Sequence, residues 1–296
     1  MFPKAVDQHK PDKPLVPNGL GVIYVLCSSV YLFLLYYYGN EFQIPSLATA
    51  LPLAGCILFG GFMGLIDDWM DLRWRYKAFI PIFAALPLAV LREGNPVMAT
   101  YIFGKVDFSQ YVLNGFPIGE IFFYFIVIPL IVTVATNAVN QLGGLNGLET
   151  ICPSIVMIGM ILSTNTLAYP LLLFPLMVYL LLAILNFHGK IFVGNTGSFA
   201  VGITVASYAI LANNEQTLLI SILPFIFNSS LILLNVFLFG RTARLILKDN
   251  RLYSKNRRSL LTLIAHHKPL TERKLVLYVA SIVGVSTLIA VLVGFA

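Results

Sequence analysis

The chain has 296 residues, of which 58% are hydrophobic and 11% charged, with a net charge of +6. Water-soluble domains carry about a quarter charged residues. This composition, with a mean hydropathy of +0.85, therefore excludes a soluble globular protein, a disordered chain and a secreted disulfide scaffold. What remains is an all-α, polytopic integral membrane protein, and its basic surplus points to a membrane face rather than to nucleic acid.

Residues 1–18 contain lysines and prolines but no short apolar core ending in small residues, so they do not read as a signal peptide. A bilayer core takes about 20 apolar residues as a helix. Nine runs are candidates: 20–38, 46–66, 78–91, 119–136, 150–163, 168–185, 199–212, 218–239 and 275–295. The runs 78–91, 150–163 and 199–212 are short unless flanking polar residues snorkel or the helix begins inside a neighbouring motif. No repeat or soluble module interrupts them, so residues 1–296 form a single membrane-embedded domain. Cys27, Cys56 and Cys152 fall singly in apolar stretches and read as small hydrophobes.

Nine spans divide the connections into two sets. Segments 1–19, 67–77, 137–149, 186–198 and the long basic loop 240–274 hold 17 of the 19 Lys and Arg residues, leaving Arg92 and Lys105 for the other side. The positive-inside rule makes the first set cytoplasmic. The same set holds the polar clusters, while no Asp, Glu, Lys, Arg or His sits at the middle of a span. That argues against an ion pump or proton-coupled transporter. It suits chemistry at one face between a water-soluble and a lipid-borne reactant.

The first cluster, Asp67-Asp68-Trp69-Met70-Asp71-Leu72-Arg73-Trp74-Arg75-Tyr76-Lys77, follows the second span. If the helix continues, Asp67, Asp68 and Asp71 share one side. Carboxylates so crowded invite a cation, usually Mg2+ where phosphates are involved, or supply a base. A solvated helix end with interfacial tryptophans accounts for the same residues. Asn137-Ala138-Val139-Asn140 and Gly143-Gly144-Leu145-Asn146-Gly147-Leu148-Glu149 end the fourth span. Their amides offer neutral oxygens to a metal and two-sided hydrogen bonds to a base or sugar, although a Gly/Asn-rich turn capping two helices has the same composition. Asn186-Phe187-His188-Gly189-Lys190-Ile191-Phe192-Val193-Gly194-Asn195-Thr196-Gly197-Ser198 precedes the seventh span, where backbone N–H groups and a helix dipole suit phosphate and a plain N-cap is the simpler use. Within 240–274, Arg241, Arg244, His266 and His267 are candidate diphosphate ligands. The other basic residues there suit anionic membrane lipids. Asn228, Ser229, Ser230 and Asn235 read as helix-packing hydrogen bonds.

In this order and on one face, the clusters resemble the polyprenyl-phosphate N-acetylhexosamine-1-phosphate transferase superfamily, glycosyltransferase family 4. Asp67-Asp68 with Asp71 and Lys77 looks like its first aspartate motif, Asn137 with Asn140 its second, and Lys190 through Ser198 its third. The Asn146-Gly147-Leu148-Glu149 form, with Leu72 through Lys77, is similar to the archaeal and eukaryotic branch. No eukaryote-type hydrophilic insertion stands in 241–274, which favours an archaeal-like member.

The resemblance implies transfer of N-acetylglucosamine 1-phosphate from UDP-N-acetylglucosamine to dolichyl or another polyprenyl phosphate, with release of UMP. That is the entry step to lipid-linked oligosaccharides for protein N-glycosylation. It implies Mg2+ as cofactor, with Mn2+ an alternative, and membrane lipids and a homodimer among the partners. The membrane is the cell membrane in an archaeon or bacterium and the endoplasmic reticulum in a eukaryote. Asp67 or Asp68 then handles the lipid phosphate, Asp71 completes the motif, and Lys77 neutralises the diphosphate. Asn140 and Asn195 hold the metal, and Asn146 and Phe192 meet the uracil. Asn137, Lys190, Arg241, Arg244, His266 and His267 complete substrate binding. A bacterial-type enzyme using undecaprenyl phosphate, one using a different UDP-N-acetylhexosamine, and a transporter or silent scaffold are the rivals. Two features depart from the family. Position 195 is usually aspartate, so the metal could instead lean on Asp67 or Asp68, or activity could be reduced. Members also carry one more span, making ten, ahead of the stretch matched here by residues 7–14.

Overall fold

A computed structural model describes residues 2–100, 104–164, 168–240 and 242–294. Within the described residues, all nine expected segments are helical. Helices α1 (Gly21–Glu41) and α2 (Ala50–Met70) are unbroken. The third segment starts earlier than expected and is jointed: α3 (Trp74–Phe79), α4 (Pro81–Ala84) and α5 (Leu86–Leu91). Pro81 and Pro87 lack the N–H that would carry the helix through these joints. Helix α6 (Ile118–Phe122) passes through a π turn at Phe123–Val127 into α7 (Ile128–Gln141). Then come α8 (Leu148–Ser163), α9 (Tyr169–Phe187) and α10 (Gly194–Leu211). The eighth segment is bent by 58° between α11 (Glu215–Ser221) and α12 (Leu223–Phe239). Pro224 stands in the first turn after this bend.

Six helical stretches among the described residues are long and apolar enough to cross a bilayer, and the bent pair would make a seventh. The remaining two expected spans are the sixteen-residue α8 and α10. The latter opens with Asn195, Thr196 and Ser198 and is the centre of the molecule: every residue from Thr196 to Ile210 is buried. A helix enclosed all round needs no polar face. Its Gly, Ala, Ser and Thr content lets α1, α2 and α7 approach closely. Tyr24 of α1 donates to Thr204 of α10 at 2.8 Å, one of the few side-chain bonds inside this bundle. Large apolar side chains such as Leu26, Leu34, Leu181 and Leu238 are exposed on the outside, as expected where lipid rather than water is the solvent.

The connections are more ordered than loops. Strands β1 (Lys4–Val6) and β2 (Leu15–Pro17) pair as an antiparallel strap ahead of α1, with Ala5 opposite Val16. Strands β3 (Val97–Thr100) and β4 (Gly104–Asp107) form a second antiparallel ribbon between the third and fourth segments. Segment 240–274, expected as a basic loop, instead contains a hairpin of β5 (Ile246–Lys248) and β6 (Arg251–Tyr253) and a helix, α13 (Leu260–His267). Asp249 and Asn250 both take positive φ in the hairpin turn, residues that tolerate it well. Ser259 and Thr262 close a capping box on α13. Helix α14 (Glu272–Gly294) ends the described chain.

Candidate active site

The helix that carries Asp67 and Asp68 does not continue through Asp71. Helix α2 stops at Met70, and Asp71 caps it in the left-handed conformation with φ +46. This corrects the expectation that Asp67, Asp68 and Asp71 share one helical face: the Asp71 side chain is 99% exposed, while its two neighbours turn to different partners. Asp67 is buried. Its Oδ1 accepts from Lys77 Nζ at 2.9 Å and from the Leu72 N–H at 3.0 Å. Its Oδ2 is buried with no hydrogen-bond partner. Lys77 also lies 3.5 Å from Asp71.

Asp68 reaches across to α10. Its Oδ1 accepts the Asn195 N–H at 2.8 Å, and its Oδ2 accepts the Thr196 N–H at 2.9 Å and the Thr196 hydroxyl at 2.7 Å. Asp68 thus occupies the N–H groups of Asn195 and Thr196 that the sequence offered to phosphate, because a carboxylate from α2 already stands at the positive end of this helix. Two glycines permit it. A Cβ on Gly64 would lie 2.4 Å from the Asn195 carbonyl oxygen, and one on Gly194, at φ +68, would lie 2.6 Å from Asp68 Oδ2.

The second cluster joins the same group through Ser198, whose hydroxyl donates to Asn140 Oδ1 at 2.6 Å and sits 3.4 Å from the Asn195 carbonyl oxygen. Asn137 spends its amide hydrogens on the carbonyls of Ala78 and Thr133, which fixes the jointed third segment against α7. Asn186, not singled out from the sequence as a site residue, accepts from the Gly147 N–H at 2.7 Å and donates to the Ile191 carbonyl at 2.8 Å. It holds the turn before α8 against the turn before α10. In the first turn of α8, outside the long apolar helices, Glu149 accepts from the Gly144 N–H at 2.9 Å. Burial pushes its carboxyl up, the Gly144 bond draws it down, and the charge of Asp68 pushes it up again.

Asn146 is buried and bonded to Asp7 and Glu272, neither of which the sequence marked as a site residue. Together with Phe192, Asn186, Glu149 and Gly144 these residues line a cavity of about 280 Å3. The N–H of Phe192 is tied to the Pro17 carbonyl at 2.8 Å, so the strap borders this cavity. A second, mostly apolar cavity of about 440 Å3 is lined by Phe2, Val22, Leu65 and Trp69 and by Asp68 itself.

The remaining candidates stand apart. Lys190 and Arg244 are exposed, and the Arg244 carbonyl accepts from Ser254. His266 and His267 are exposed at the end of α13. The ring of His266 bonds the Ser254 carbonyl and Arg257, and that of His267 packs edge-on against it. Arg241 lies outside the described residues.

Residues 50–213 match the family model for glycosyl transferase family 4. The chain belongs to this family. Among curated relatives, a Saccharolobus solfataricus protein provisionally named UDP-N-acetylglucosamine–dolichyl-phosphate N-acetylglucosaminephosphotransferase is 29% identical over 231 residues, covering 74% of the chain and 66% of the relative. A Dictyostelium discoideum protein of the same name, without the qualification, is 29% identical, covering 72% of the chain and 59% of the relative. The phospho-N-acetylmuramoyl-pentapeptide-transferase of Streptococcus uberis is 25% identical over 246 residues, covering 80% of the chain and 71% of the relative. The chain therefore spans just under two thirds of the length of the first of these family members. Its long apolar helices and its membership make it a multi-pass integral membrane protein.

Proposed function

We propose that this family 4 protein transfers N-acetylglucosamine 1-phosphate from UDP-N-acetylglucosamine to a polyprenyl phosphate of the dolichyl type, at the face the positive-inside rule assigns to the cytoplasm. The observation that carries this reading is one bonded group drawn from two distant stretches. Asp67 and Lys77 form a partly buried ion pair, Asp68 is held by Asn195 and Thr196, and Asp67 keeps one buried oxygen free. The names of the archaeal and eukaryotic relatives support the substrates. The two cavities support the pairing, since one has Asp7, Asn146, Glu149 and Glu272 in its wall beside Phe192 and the other is mostly apolar.

In this reaction an oxygen of the lipid phosphate attacks the phosphorus that carries the sugar. A new diphosphate bond forms, the bond from that phosphorus to the bridging oxygen breaks, and UMP leaves with the electron pair. Asp67 Oδ2 takes the proton of the attacking phosphate or orients it. Lys77 offsets charge where two anions meet. Asp68 positions the start of α10 and, through Ser198, the amide of Asn140.

Hard oxygen donors suit Mg2+, and the residues present fit it. Asn140 Oδ1 accepts a single hydrogen bond, and Asp67 Oδ2 is orphaned. Asn140 and Asn195 would hold the ion, with Asp67 Oδ2 left to the attacking phosphate. Once bound, the ion would supply electrostatic stabilisation of the diphosphate.

The test is UMP release by purified protein given UDP-N-acetylglucosamine, polyprenyl phosphate and Mg2+, with Asp67→Asn beside it. Release by the wild type and its loss in the variant are expected. Silence of the wild type with both substrates confirmed present overturns the reading.

A further inference from the structure

The buried amide of Asn146 has both its hydrogens spent. Nδ2 donates to Asp7 Oδ2 at 2.7 Å and to Glu272 Oε1 at 3.0 Å, and the Asn146 backbone N–H adds a bond to Glu272 Oε1 at 2.9 Å. A carboxylate only accepts, so turning the amide over would set its oxygen against two anions. The orientation is therefore set by chemistry. The acids are themselves held, because Lys10 Nζ pairs with Glu272 Oε2 and the His9 N–H donates to Asp7 Oδ1 at 3.3 Å. Asp7, His9 and Glu272 have the composition of a metal site. Protein donors already engage every one of their carboxylate oxygens, which makes the cluster a positioning device.

Asn146 Oδ1, by contrast, is buried and has no partner, and Asn146 lines the cavity of about 280 Å3 with Phe192. A buried acceptor left unpaired costs free energy that an arriving donor recovers. We propose that Asp7 and Glu272 are positioning residues: they lock the Asn146 amide with its oxygen as the sole free group, so that the cavity selects a pyrimidine ring carrying an imino N–H, uracil, over cytosine. Cytosine presents a lone pair at that ring position, and the locked amide has no hydrogen to offer it. The inference rests on the UDP-sugar reading above and adds the device by which the base is read. Asp7 belongs to the strap and Glu272 to the first turn of α14, so both ends of the described chain serve the choice.

The experiment titrates UMP, CMP, N3-methyl-UMP and 5-methyl-UMP onto the purified full chain by calorimetry. The wild type is expected to bind UMP and 5-methyl-UMP alike, and at least about tenfold more tightly than CMP or N3-methyl-UMP. In Asp7→Asn/Glu272→Gln the partners are no longer pure acceptors and the amide can turn, so the UMP-to-CMP ratio is expected to fall within about threefold. A merely structural role would weaken both nucleotides equally and keep the ratio, and a double variant that does so overturns the positioning role. Should that variant fail to fold, the wild-type arm decides: equal binding of UMP and N3-methyl-UMP overturns the lock. UMP binding without preference over CMP also overturns it while leaving the UDP-sugar reading intact. Binding of no nucleotide at all overturns that reading, and the lock with it.

Discussion

Asp68 of α2 caps α10, accepting the backbone N–H groups of Asn195 and Thr196 at 2.8 and 2.9 Å. Adjacent aspartates therefore have different duties, since Asp67 turns to Lys77 instead. Removing a capping carboxylate costs about 0.5–2 kcal/mol. Asp68→Ala is expected to lower the thermal midpoint in detergent, by roughly 2–4 °C for a large domain. Asp68→Asn keeps an acceptor and should lose less. Unchanged midpoints in both variants would remove the capping role.

Lys77 is the compensating charge for a carboxylate that is almost wholly buried. Its own side chain is 25% exposed, which reduces the ~3–5 kcal/mol expected for breaking a fully buried pair to about 1–3 kcal/mol. Lys77→Met should be more destabilising than Asp67→Asn/Lys77→Met, because the double variant leaves no unpaired charge. Equal destabilisation, read by denaturation of the three variants, would contradict a coupled pair. Both Asp67→Asn and Lys77→Met are expected to lower kcat by at least about a hundredfold.

Gly64 lets α2 and α10 touch. In Gly64→Ala the new methyl would meet backbone atoms of Asn195 and Thr196 at 2.4 and 2.6 Å, and backbone cannot rotate away. A cost of about 1–3 kcal/mol is expected, with loss of UMP release as Asp68 is pushed off the α10 end. Gly284→Ala is the control: nothing lies within 4 Å of its Cβ, and activity should persist. Full activity in Gly64→Ala would show that the close approach is not needed.

Asn195 begins the buried helix at the place where a carboxylate would strengthen both the helix terminus and a bound cation. Asn195→Asp is expected to lower the Mg2+ concentration giving half-maximal UMP release, and to tighten Mn2+ binding followed by electron paramagnetic resonance. Identical metal titrations for the two proteins would remove position 195 from the ligand set.

Much of the fold was legible because hydropathy is a local property. Within the described residues each of the nine apolar runs is helical, whereas the joints at Pro81 and Pro87 and the bend beside Pro224 were not read from the sequence, since Pro153 and Pro175 sit inside unbroken helices. The strap, the β3–β4 ribbon and the β5–β6 hairpin were not legible, since three- or four-residue strands carry too few alternations to stand out from loop. In the site, the aspartate, asparagine and Gly-Asn-Thr-Gly-Ser clusters were visible as motifs. The helix stop at Asp71 was hidden, because a left-handed residue there depends on what surrounds it.

By itself the sequence determined that this chain lives in a membrane, that its charge gathers in a few connecting segments, and which short stretches carry polar chemistry. These follow from residue type and spacing alone. Only the tertiary structure decided which of two neighbouring aspartates keeps a free oxygen, that the N–H groups at the start of α10 are already taken, and that Asp7 and Glu272 hold Asn146 from 139 and 126 residues away. Hydrogen bonds are directional and saturable, so what a side chain can still do depends on partners that only folding brings within reach.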